Sequence, residues 1–158
     1  MSERVPMTRS GYDALESELK QLKTVERRAI SKEIEIARAH GDISENAEFH
    51  AAKERQSHIE GRITQLEDRL ARAQVIDSRG QNSDAVRFGA TVQLTDAESG
   101  DEVTYTIVGE DESDVSKGLI SVGSPIARAL LGKPVDELVT VKVPRGNRSL
   151  EIRSIRFE

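Results

Sequence analysis

Residues 49–73, FHAAKERQSHIEGRITQLEDRLARA, carry Phe49, Ala52, Gln56, Ile59, Ile63, Leu66, Leu70 and Ala73 at alternating steps of three and four. Residues so spaced lie along one stripe of an α-helix, the seam of a coiled coil. The stretch holds no proline, and its one glycine, Gly61, falls off the seam, where it costs about 1 kcal/mol of helix propensity without interrupting the stripe. Upstream, Leu15, Leu19, Leu22, Glu26, Ala29, Glu33 and Ile36 repeat the same steps. Folding the chain back at Gly41 and Asp42 sets Leu15 opposite Leu70, Leu19 opposite Leu66, Leu22 opposite Ile63 and Ile36 opposite Phe49. One register serves both stripes, so the spacing predicts an antiparallel helical hairpin. Each arm of roughly 30 residues would span about 45 Å. Its base is leucine and isoleucine. Its outer half carries Ala29, Ala37, Ala39, Ala47, Ala51 and Ala52, which makes for a thin rod with less apolar area to bury.

Beyond the hairpin the period changes to two. Val92 and Leu94, then Val103, Tyr105 and Ile107, then Val139, Val141 and Val143 alternate with polar neighbours, as half-buried strands do. Leu150 and Ile152 begin a further strand, but the next large apolar residues are Ile155 and Phe157, a slip that predicts a bulge near Arg153 and Ser154. Residues 124–132, SPIARALLG, read as one short helix with a serine cap, proline in the first turn and a glycine stop. The expected organisation is a hairpin over 1–76 with its tip at 41–46, a polar linker over 77–85 (DSRGQNSDA), and a β-rich domain over 86–158. The fold class is α+β.

Composition narrows the chemistry. The 158 residues include no cysteine, which removes disulfides, thiolate metal sites and cysteine nucleophiles, and fits a reducing cytoplasm. Aromatics are 3% of the chain, too few for an aromatic-lined ligand pocket. No apolar run is long enough to cross a bilayer, and the first residues lack a signal peptide's apolar stretch. The expectation is a soluble cytoplasmic protein that does not engage a membrane. Residues 1–80 hold 14 Lys and Arg against 15 Asp and Glu, a net of −1, and the remainder 9 against 13, a net of −4. Neither part carries the basic surplus of a protein that binds nucleic acid by neutralising phosphates, so a protein partner is favoured.

The reversal reads HGDISENAEFH over 40–50, with Asp42 and Glu45 three residues apart. Two readings fit. An acid followed three residues later by glutamate resembles a capping box, and Ser44 or Asn46 could also cap. Local sequence favours the cap, but carboxylates at the end of a thin rod can also supply oxygen ligands to a hard cation such as Mg2+. Two alone cannot satisfy near-octahedral coordination, but they could complete a site part-built in another protein.

The run GDISENAEFHAAKE over 41–54 resembles the tip signature of the GreA/GreB transcript-cleavage factors. AQVID over 73–77 is similar to that family's exit from its hairpin, and FGATV over 88–92 and ISVGSPIA over 120–127 resemble its C-terminal domain, which implies an FKBP-like antiparallel β domain with one short helix. These blocks occur in order from about Pro6 to the end of the chain. The resemblance implies a monomer that docks beside the secondary channel of bacterial RNA polymerase and inserts its hairpin. There Asp42 and Glu45 would help hold a catalytic Mg2+ shared with the polymerase, which itself cleaves the backtracked RNA 3′ end. The protein would have no cofactor of its own and no complete active site. By the same resemblance Arg38 and Lys53 map onto a basic patch proposed to hold extruded RNA, against the plain alternative of solvated surface charges. Ser124 and Pro125 are most simply a cap and a first-turn proline, and the resemblance implies that this corner also faces polymerase.

His40, His50 and His58 are not spaced as a zinc site, and residues 110–114, EDESD, read as a solvated loop, with a docking surface as the lesser alternative. Three other functions fit parts of the pattern. A regulator occupying the same channel without promoting cleavage would share everything but the acidic tip. A prolyl isomerase would need an aromatic pocket that Phe88, Tyr105 and Phe157 alone do not furnish, and likeness of fold would not establish the activity. A structural coiled-coil adaptor would need no acidic tip.

Overall fold

The computed structural model describes residues 3–42, 45–77, 84–144 and 146–157. Residues 43 and 44 of the expected tip and 78–83 of the expected linker therefore lie outside the described residues. The chain divides into two compact units. One contains Tyr12–Ala73, and the other contains Arg4–Gly11 and Gln74–Glu158.

The first unit is a helical hairpin. After strand β1 (Val5–Met7), helix α1 (Arg9–Gln21) leads through a π-helical turn over Leu22–Glu26 into α2 (Arg27–Arg38). The chain then reverses into α3 (Ala47–Ala71). Helix α3 follows its predicted stripe: Phe49, Ala52, Ile63 and Leu66 are buried, and Gln56, Ile59 and Leu70 are half-buried. The first arm follows its stripe only at the base, where Leu15 is buried and Leu19 and Leu22 are half-buried.

Above that point the buried residues are Ile30, Ile34 and Ala37, not the expected Ala29, Glu33 and Ile36, and Ile36 is 53% exposed. The π turn is the cause. The Arg27 amide donates to the Leu22 carbonyl, five residues back instead of four, so the turn holds one extra residue and rotates everything after it by one position. The Thr24 hydroxyl donates to the Lys20 carbonyl at 2.7 Å inside the same turn. Glu33, expected on the seam, stands outside it and accepts from Arg55 of the opposite arm at 3.1 Å.

The arms are also tied along their flanks. Arg27 grips Glu60 with two hydrogen bonds of 2.9 and 2.8 Å, Arg62 grips Glu18 at 2.7 and 2.9 Å, and Lys23 meets Glu67 at 3.2 Å. The Arg62 guanidinium holds the Glu18 carboxyl below its usual range, and Arg27 does the same to Glu60.

The second unit is built on a five-stranded sheet. Its strands are β3 (Ala90–Asp96), β4 (Glu102–Val108), β5 (Leu119–Ser121), β6 (Leu138–Val143) and β7 (Gly146–Phe157), in the order β5-β4-β3-β7-β6. Each stretch read as alternating forms a strand. The expected bulge is present: Gln93 pairs with Ser154 and Leu94 with Ile152, which leaves Arg153 as the extra residue. The sheet is mixed, not wholly antiparallel, because the short edge strand β5 runs parallel to β4. A strand of three residues shows no usable period, so alternation could not reveal it. Helix α4 (Pro125–Leu130) packs Ala127 and Leu130 into a core with Val86, Val92, Leu94, Ile107, Leu150 and Ile152, all with no measurable exposure. A separate two-stranded sheet pairs β1 with β2 (Ala73–Val75), so Ala73, expected to end the helical stripe, instead begins a strand.

Candidate functional site: the hairpin tip

Asp42 and Glu45 flank the reversal between α2 and α3, and both are exposed. The N-cap of α3 is Asn46, whose side chain accepts from the Phe49 amide at 3.0 Å. The same side chain donates across the hairpin to the Ala37 carbonyl, so one asparagine starts α3 and ties it to the end of α2. The local sequence pattern offered several residues for this task; only one can sit where the backbone leaves the helical region, and Asn46 does so with ψ of 94°. Behind it, Phe49 plugs the seam together with Ala37, Ala52 and Ile34.

The neighbouring cations and imidazoles differ in how firmly they are held. The Arg38 guanidinium lies over the Phe49 ring, 5.7 Å from its centroid, a cation–π contact that restrains the side chain while leaving it exposed. The Lys53 ammonium donates to Gln56 at 3.0 Å on the same face of α3. His50 meets the edge of Phe49, with ring centroids 5.6 Å apart. His40 Nδ1 lies 3.8 Å from a Glu48 carboxylate oxygen. The seating of Arg38 on Phe49 was not foreseen; the signal available in sequence was an aromatic ending the seam of a hairpin otherwise almost free of aromatics.

Ser124 and Pro125 belong to the other unit. The Ser124 hydroxyl accepts from the Ala127 amide at 3.3 Å and caps α4, and Pro125 is exposed in its first turn. Among the described residues no cluster of three or more His, Cys, Asp or Glu side chains is arranged to hold a metal ion. The donor set at the tip is two exposed carboxylates, hard oxygen ligands that suit Mg2+ in kind and would need further ligands from elsewhere to fill its coordination sphere. Among the described residues no helix is long and apolar enough to cross a membrane.

Comparison with known proteins gives this geometry a class. Residues 5–75 match the family described as transcription elongation factor, N-terminal, and residues 81–157 match that described as transcription elongation factor, GreA/GreB, C-term. The transcription elongation factor GreA of Anaeromyxobacter sp. (strain K) is 59% identical over 155 residues, covering 98% of this chain and 93% of that relative. The GreA of Maricaulis maris (strain MCS10) is 56% identical over 154 residues, covering 98% of both. Among solved structures, the GreA factor homolog 1 (Gfh1) protein of Thermus thermophilus aligns with a TM-score of 0.44 at 28% identity, over 98% of this chain and 99% of that one. Helical hairpin and sheet domain together thus define a transcription elongation factor. The chain belongs to the GreA/GreB family.

Proposed function

We propose that this factor enters the secondary channel of bacterial RNA polymerase and stimulates the polymerase's own Mg2+-dependent cleavage of backtracked RNA 3′ ends. The observation that carries this reading is the exposure of Asp42 and Glu45 at the reversal, with the cap of α3 supplied by Asn46. Exposed carboxylates so placed lie where a partner can reach them. Mg2+ held with the polymerase would supply Lewis-acid activation of the phosphodiester and lower the pKa of the attacking water. Asp42 would stand as the ligand nearer the metal, and Glu45 would orient the attacking water and accept its proton. Arg38, steadied on Phe49, and Lys53 would attract the phosphates of the extruded strand, a contact that needs no base specificity. Ser124 and Pro125 would contribute to docking at the channel rim. The chain acts as a monomeric cytoplasmic stimulator with no cofactor of its own, and lacks a complete active site.

The test uses a stalled, backtracked elongation complex with Mg2+. The wild-type chain should release short 3′ RNA fragments. Asp42→Asn and Glu45→Gln should each reduce the rate by about a hundredfold or more, the order expected when a proton-transferring or charge-bearing group is lost. Binding to polymerase should persist. RNA cleavage by this chain with polymerase omitted would overturn the borrowed-site mechanism.

A further inference from the structure

The segment 110–114, expected to be a solvated loop, contains one side chain that is spent on the other end of the chain. Thr8 occupies the N-cap of α1, and its hydroxyl oxygen accepts from the Gly11 amide at 3.1 Å. In a local capping box the third helical residue is Glu or Gln, which reaches back to accept from the cap residue's own amide. Here that position is Gly11, which has nothing to reach with. The missing acceptor is Glu112, 104 residues beyond Thr8. One of its carboxylate oxygens accepts from the Thr8 amide at 3.0 Å and also from the Gly109 amide at 3.0 Å. The other accepts from the Thr8 hydroxyl.

Two glycines make room for this arrangement. A methyl group on Gly11 would lie 2.1 Å from the Glu112 carboxyl carbon, and one on Gly109 would lie 2.4 Å from the Pro6 carbonyl oxygen. Thr8, Gly11, Gly109 and Glu112 all belong to the same compact unit. Helix α1 starts within that unit and runs on, unbroken, into the hairpin's first arm.

We propose that Glu112 is the acid of a split capping box and a positioning residue for the tip: it fixes the first turn of the arm that carries Asp42. This rests on the functional reading above. A carboxylate that accepts two backbone amides and a hydroxyl leaves the first turn of α1 little freedom, and its loss would leave the start of the arm that leads to Asp42 less firmly held. Misplacement far from the chemistry lowers the rate at which a bound complex reacts more than it lowers binding.

Three full-length variants test this. Glu112→Ala removes every acceptor. Glu112→Gln keeps one oxygen able to serve both amides and should behave as wild type. Gly11→Ala raises helix propensity, so by that effect alone it should strengthen α1; the clash would be relieved by turning Glu112 away. Amide exchange at Thr8 and Gly109 should speed up by about tenfold in Glu112→Ala and Gly11→Ala, as expected for loss of hydrogen bonds to a charged acceptor. The maximal cleavage rate at saturating factor should fall by about tenfold in the same two variants, with the half-saturating concentration unchanged.

Unaltered exchange in Glu112→Ala overturns the capping box. Lost protection with an unchanged maximal rate overturns the positioning role, as does a loss confined to binding. A wild-type chain that stimulates no cleavage overturns the functional reading and the positioning role together, and exchange alone then judges the capping box.

Discussion

The two arms of the hairpin carry the same heptad spacing and use it differently. Helix α3 keeps one phase from Phe49 to Leu70, so each residue on its predicted stripe is buried or half-buried. The first arm keeps its phase only as far as Leu22, and beyond the π turn the buried set moves by one residue to Ile30, Ile34 and Ala37. The difference teaches that spacing fixes the period of a stripe while the backbone fixes its phase. An apolar triplet, Ile30, Ile34 and Ala37, competes with the arithmetic continuation Ala29, Glu33 and Ile36. The exchange puts a second isoleucine on the seam and sends a glutamate to solvent. That apolar gain, at about 25 cal/mol per Å2 of surface buried, is set against the weaker hydrogen bonding of one widened turn.

The largest effect that sharpens this contrast comes from the other unit, where phase is never in doubt. Leu150→Ala, in a core with no measurable exposure, should destabilise the sheet by about 3–5 kcal/mol. Amide exchange across β3 and β7 should rise while the α3 amides keep their protection. Ile34→Ala should cost about 2–3 kcal/mol of hairpin stability, and Ile36→Ala less than about 0.5 kcal/mol. Thermal unfolding followed by helical circular dichroism checks both. Equal losses at the two positions would break the phase assignment and restore the unshifted stripe.

The smallest effect concerns the flanking straps. Arg62 lowers the pKa of Glu18 in the folded hairpin, so the pair's contribution is fully present above the unfolded carboxyl value of about 4.3 and is lost as pH falls through the lower folded value. Because both side chains are more than a third exposed, at 37% and 41%, the pair's worth is about 0.5 kcal/mol or less after screening. The melting temperature should therefore decline below about pH 4, and Glu18→Gln should flatten part of that decline.

How far the sequence could be read follows from these particulars. Helix α3, the longer strands, the cap and proline of α4 and the bulge at Arg153 were legible because each leaves a local trace: a period, a turn residue or a slip in alternation. The π turn left no readable one: Thr24 and Val25 are β-branched and weaker helix formers, but such a pair does not specify an extra residue in the turn. Strands β1, β2 and β5 are three residues each, shorter than two periods of alternation. The acidic pair stood out because two matched stripes define where the chain must reverse. Asn46 was one of several possible caps, and only the backbone geometry chose it. Arg38 on Phe49 and Glu112 on Thr8 were beyond reach for a different reason. Each joins residues from separate elements, and the second joins residues more than a hundred positions apart.

Sheet order has a consequence for how the protein is made. Strand β7, later in the chain than the sheet's other four strands, lies between β3 and β6 and pairs with both. The hairpin's contacts close over short stretches of chain and are complete once Ala71 has emerged, so the rod can zip while synthesis continues. The sheet cannot close until its final dozen residues arrive. The hairpin can thus form before the sheet does, and the interval between the two is when β3, with one edge still bare, is most open to wrong partners.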